Sequence, residues 1–138
     1  MDSISQTATE HDLKLLQDFS KAPQLHCSQD VLQSVLLNLI TNAIKYKKQG
    51  SQPELILQTD LTQDYVILKA IDKGIGINLE KYGDRLFNPY QRFHPHIEGK
   101  GLGLYLIKTQ VEKMGGKISV ESAENDGTTF NIYFRQNS

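Results

Sequence analysis

The apolar residues of this chain change period along its length, and that change constrains its fold more than any other feature. Leu32, Val35, Leu36, Leu39 and Ala43 recur at steps of three and four, the spacing that places side chains on one face of an α-helix. Further on, "ELILQTDL" and "YVILKAID" alternate or run apolar on either side of "TQD", which predicts a hairpin of antiparallel strands. "LYLIKTQVEKM" returns to helical spacing through Leu104, Ile107, Val111 and Met114 before Gly115 and Gly116 stop it. Two strand-like stretches, "KISVESA" and "TTFNIYF", close the chain around "ENDG". Upstream, "LKLLQDFS" and the short "QLHCS" also read as strands, separated by a proline. The pattern amounts to about six strand-like segments and two or three helices, an α+β arrangement with helices covering one face of a mostly antiparallel sheet.

With 138 residues the chain is the size of one ordinary domain. Residues 1–12 are polar and unpatterned and read as a flexible lead-in to a domain over 13–138. Lys and Arg total 15 against 16 Asp and Glu, so no basic field argues for nucleic acid or a membrane surface. No apolar run approaches the ~20 residues that span a bilayer, and one cysteine, Cys27, allows no internal disulfide. A cytoplasmic domain without direct membrane contact is expected.

Within the first helix, "NLITNAIKY" sets Asn38 and Asn42 four residues apart, with Lys45 on the same stripe. Asparagine is a poor helix-interior residue, and its amide must be satisfied wherever it is buried. The stripe borders the apolar face, where a ligand pocket can open. Ser28 or Asp30 is placed to cap this helix, which runs to about Lys47 and ends at "KKQGSQP".

Two glycine clusters frame the long segment between the hairpin and the second helix: "DKGIG" at 72–76 and "GKGLGL" at 99–104, with a short helical stretch near 79–86 between them. The second cluster opens a helix, whose free amides and dipole favour an anion. It is neither of the familiar phosphate motifs. "GKGLG" lacks the G-x-G-x-x-G spacing and follows a non-strand segment, and Lys100 is followed by Gly101 rather than Ser or Thr. Either cluster alone reads equally as turn and cap glycines.

In order the chain shows "NLITNAIKY", "DKGIGI", "LFNPYQRF" and "GKGLGL". This succession, over nearly the whole chain, resembles the catalytic ATP-binding domain of two-component sensor histidine kinases, and the four stretches are similar to that family's N, G1, F and G2 boxes. The resemblance implies the Bergerat α/β sandwich shared with gyrase and MutL ATPases, a mixed sheet of about five strands with about three helices on one face. It implies ATP and magnesium as cofactors, a phosphoacceptor and dimerisation domain of the parent kinase as partner, and a response regulator downstream.

By that resemblance Asn42 would hold the magnesium and Lys45 would neutralise phosphate charge, while Tyr46 would pack near the nucleotide or serve as an ordinary half-buried helix-end tyrosine. Asp72 would accept a hydrogen bond from the adenine amino group, with Gly74 and Gly76 letting the base lie against the backbone; a strand-end Asx turn is the alternative. Relatives often carry Asn where Lys73 stands. Thr128 would add a water-mediated adenine contact. Gly99, Gly101 and Gly103 would form the hinge of an ATP lid and present amides to the phosphates, and Leu104 would be among the residues that bind the nucleotide. Phe87 and Phe93 resemble the F-box aromatics, with a small-core role as the alternative. His94, His96 and Glu98 read as exposed lid residues rather than a metal site. Hydrolytic relatives carry a glutamate, the general base, where Asn38 stands; an amide takes no proton at neutral pH, so the catalytic position fits a kinase with slow hydrolysis.

His11 opens "HDLKLL" but is not the phosphoacceptor, since too little chain precedes the N box for a helical hairpin plus the opening strands. Other readings are a nucleotide-binding interaction module without turnover, or an anti-sigma-factor-like serine kinase of the same fold.

Overall fold

The computed structural model describes residues 3–25, 27–83, 86–89 and 103–136. Its elements run α1 (Ser3–Glu10), β1 (Lys14–Asp18), α2 (Gln29–Lys45), β2 (Glu54–Leu61), β3 (Tyr65–Asp72), α3 (Leu79–Tyr82), α4 (Gly103–Lys113), β4 (Lys117–Ser122) and β5 (Thr128–Arg135). The strands form one five-stranded sheet in the order β1-β2-β3-β5-β4.

Only β1 and β2 pair in parallel, because the chain between them crosses over through α2. The other pairings are antiparallel, with Leu55 opposite Asp72 and Thr59 opposite Leu68 in β2–β3, and Asp72 opposite Thr128 in β3–β5. Alternation along β2 turns Leu55, Leu57 and Thr59 inward. There they meet Leu68 and Ala70 of β3, Phe130, Ile132 and Phe134 of β5, Val35, Leu39, Ile40 and Ala43 of α2, and Ile107 and Val111 of α4 in one core. Among the described residues the outer face carries no helix. On it Asn131 donates to Glu121 Oε1 at 3.1 Å, and Lys117 lies over the rings of Tyr65 and Tyr133. The α+β class, the five strands and the mixed sheet follow the expectation.

Two local expectations do not hold. Residues 3–10, expected as part of an unpatterned lead-in, form α1, which packs against α2 and places Ile4 against the core. Its sequence has one large apolar residue, so the helix depends on tertiary contact rather than on its own periodicity. "QLHCS" forms no strand among its described residues. The edge of β2 it would need is already occupied by β1, and Ser28 is drawn out as the N-cap of α2, its Oγ accepting from Val31 N–H at 3.1 Å.

Candidate functional site

The polar stripe of α2 faces the start of α4. Asn38 Nδ2 donates to the Ser34 carbonyl at 3.0 Å, which satisfies the amide nitrogen within the helix and leaves the oxygen directed outward. A methyl group in place of the Gly103 hydrogen would lie 3.2 Å from Asn38 Oδ1 and 3.9 Å from Asn42 Oδ1. Two amide oxygens from successive turns of α2 thus converge on the first residue of α4. Lys45 is exposed in the last turn of α2, one turn beyond Asn42.

A second group is assembled at the C-terminal end of β3. Gly74 N–H donates to Asp72 Oδ1 at 2.9 Å, so the Asx turn expected as an alternative does form. The Thr128 N–H also bonds the Asp72 carboxyl. Burial nevertheless pushes that carboxyl up to about 6, because desolvation of the charged form outweighs both hydrogen bonds. Gly74 admits no side chain: a Cβ there would collide with the Tyr46 carbonyl oxygen. Gly76 sits at φ +72°, in the left-handed region, and a Cβ would strike the Ala123 carbonyl.

The backbone between these glycines is held from both sides. Ile75 N–H donates to the Tyr46 carbonyl at 2.8 Å, and the Ile75 carbonyl accepts from Asn125 N–H at 2.7 Å. Ile77 N–H donates to Ser122 Oγ at 2.8 Å, and that hydroxyl donates to the Gly127 carbonyl at 2.8 Å. With its single proton so used, Ser122 accepts from the Thr128 hydroxyl, 2.8 Å away. Thr128 is buried; its hydroxyl serves β4 and its N–H serves Asp72.

Asn42 and Tyr46 join the two groups, since the Tyr46 N–H closes α2 on the Asn42 carbonyl at 3.0 Å while the Tyr46 carbonyl holds Ile75. Lys73 is ion-paired with Glu54 at 3.5 Å. Leu104 is buried in the core beside Ile107. Phe87 is half-buried, edge-on to Phe130 with ring centroids 6.5 Å apart, the small-core placement. Gly99, Gly101, Phe93, His94, His96 and Glu98 lie outside the described residues. Ser122 and Asn125 were not singled out from sequence. "ENDG" marks a turn, and Asn125 at φ 66° suits one, but nothing local says that the turn clamps residues 75–77.

Chemically, one end of this arrangement offers a desolvated carboxyl in a backbone cradle, suited to a planar donor-bearing group. The other end offers neutral amide oxygens, hard donors of the kind magnesium accepts, beside a helix N-terminus that favours anions. The residues present therefore fit a nucleotide with its cation.

The profile of the family described as histidine kinase-, DNA gyrase B-, and HSP90-like ATPases matches residues 27–138. The heme sensor protein HssS of Staphylococcus saprophyticus is 32% identical over 130 residues, which cover 94% of this chain and 27% of that protein. Sensor histidine kinase WalK of Bacillus subtilis is 34% identical over 104 residues, 73% of this chain and 17% of that protein. The chain thus spans about a quarter or less of the length of these relatives. Among solved structures, the mycobacterial sensor histidine kinase MprB superposes with a TM-score of 0.78 at 22% identity, over 96% of this chain and 90% of that one. The catalytic domain of histidine kinase ThkA gives 0.78 at 20% identity, over 98% and 88%.

Proposed function

The chain belongs to the family of histidine kinase-, DNA gyrase B- and HSP90-like ATPases, as an ATP-binding catalytic domain of the histidine kinase type, and from that premise we propose how its residues work. Asp72 accepts the adenine amino group in the cradle closed by Gly74 and the Tyr46 carbonyl. The phosphates extend toward Gly103 and Lys45, and Asn42, with Asn38 beside it, offers amide oxygen to magnesium. Bound there, magnesium neutralises charge on the phosphate oxygens. The γ-phosphate is presented to a histidine on a separate dimerisation and phosphoacceptor domain of the parent kinase, which passes it to a response regulator.

The observation that carries this reading is the shared anchoring of the two groups by one helix end. Asn42 faces α4, and four residues later the Tyr46 carbonyl fixes the backbone beside Asp72. A ligand touching both must be elongated, with a donor-bearing ring at one end and an anion at the other. Asn38 supports transfer over hydrolysis, because a neutral amide with its nitrogen bonded to Ser34 cannot take a proton from water. The length of the relatives supports a parent with further domains. Among the described residues no helix is long and apolar enough to cross a membrane, and an ATP-consuming domain with a free cysteine suits the cytoplasm.

The test is isothermal titration with a non-hydrolysable ATP analogue, with and without magnesium, on the chain and on its Asp72→Asn variant. Binding is expected to strengthen with magnesium and to vanish in Asp72→Asn. An Asp72→Asn variant that is folded and binds with unchanged affinity would overturn the adenine assignment.

A further inference from the structure

β4 is the last strand of the sheet, and among the described residues no strand pairs with its far side. Alternate residues of such a strand direct their backbone N–H and C=O groups away from the sheet, which makes a template for another strand. A lysine on the strand commonly guards an edge of this kind. Lys117 is instead drawn back over its own sheet, its ammonium 4.8 Å from the Tyr133 ring and 5.2 Å from that of Tyr65. Glu121 is turned the same way, one of its two oxygens taking the Asn131 amide at 3.1 Å.

The strand is also close to symmetric about its middle. "KISVE" reads cation, β-branched, serine, β-branched, anion. Lys117, Ser119 and Glu121 are exposed on the outer face, while Ile118 and Val120 are half-buried on the inner one. A two-fold axis normal to the sheet lays a second copy of the strand antiparallel to the first, and opposed residues must then share a face. Centred on Ser119, the axis sets Lys117 opposite Glu121 of the second copy and Ile118 opposite its Val120, each pair occurring twice. Centred on Ile118, it sets Lys117 against Ser119 and Glu121 against Gly115; centred on Val120, it sets Glu121 against Ser119 and Lys117 against Ala123. Of these three registers only the first opposes unlike charges.

We propose that the β4 edge is a self-association surface, through which two copies of this chain join antiparallel about Ser119 and make their five-stranded sheets continuous. Backbone hydrogen bonds supply the contact, and the opposed ion pairs and β-branched pairs fix its register. The contact is one strand wide, so the dimer is a transient one, with a Kd on the order of 0.1 mM. It stands independently of the nucleotide reading, which uses no side chain of Lys117–Glu121.

The test is sedimentation velocity over a concentration series of the chain, of its Lys117→Glu and Glu121→Lys variants, and of an equimolar mixture of the two variants. The unaltered chain should dimerise with rising concentration. Each variant alone opposes like charges at both ends of the strand and should associate about tenfold more weakly. The mixture opposes unlike charges again and should recover the dimer, which also shows that both variants are folded. Amide exchange of the unaltered chain reads the same surface without substitution, and alternate amides of Lys117–Ser122 should gain protection as concentration rises. A chain that stays monomeric throughout, variants that associate as the unaltered chain does, a mixture that fails to recover the dimer, or protection confined to β1 would each overturn the proposal.

Discussion

At Asp72, burial and hydrogen bonding pull in opposite directions. The carboxyl is raised to about 6 from an ordinary value of 3.8, so the folded chain holds this proton more tightly than the unfolded one. Its contribution to stability is complete below pH 3.8 and is lost as pH rises through 6, by roughly 3 kcal/mol. Urea midpoints between pH 4 and 7 should show this fall in the unliganded chain. Because a donor on adenine favours the ionised carboxylate, nucleotide affinity should drop roughly tenfold between pH 7 and pH 5, measurable by titration in matched buffers. Asn38→Glu would restore a proton acceptor beside Gly103 and should raise the ATPase rate; an unchanged rate in a variant that still binds nucleotide would refute the role given to Asn38. The identities of Asp72, Asn38 and Asn42 as unusual residues were legible, since each breaks a local preference. The two bonds that restrain the Asp72 carboxyl were only partly so: Gly74 is two residues away, but Thr128 reaches it through strand pairing.

The elements depend on caps and ties that differ in how far they reach. Ser28 caps α2 from three residues away, and its replacement by Ala should cost about 1 kcal/mol in chemical denaturation without altering nucleotide contacts directly. Ser122 acts across 45 residues on Ile77. Its change to Ala leaves the Ile77 N–H and the Gly127 carbonyl without that partner, at about 1–3 kcal/mol, and should weaken nucleotide binding by loosening residues 75–77. The first cap follows from a sequence rule. The second follows from the β4–β5 pairing that carries Ser122 to the end of β3. The missed α1 and the strand that does not form among the described residues of 24–28 have the same origin. Marginal segments are decided by which neighbour has a free face or edge, and periodicity within eight or fewer residues carries little of that information.

For the whole molecule, α1 is tied to the domain at its end as well as its face. Leu13 N–H donates to the Ala8 carbonyl at 2.9 Å, and Gln52 Nε2 donates to the Asp12 carbonyl at 3.1 Å. A chain starting at Leu13 should therefore keep its fold and its nucleotide binding but lose about 1 kcal/mol, mainly from exposing the surface that Ile4 covers; a denaturant series on both chains measures it. The sequence by itself determined the α+β class, the long helix with its amide stripe, both hairpins and the glycine clusters, because each rests on period or on local backbone chemistry. Only the tertiary structure decided that β5 inserts between β3 and β4, so that Thr128 meets Asp72, and that α4 starts against Asn38 and Asn42. It also decided that Thr59 lies buried, its hydroxyl without a hydrogen-bond partner among the described residues. Those outcomes turn on which surfaces meet across the core, a contact between residues far apart in the chain that no local period encodes.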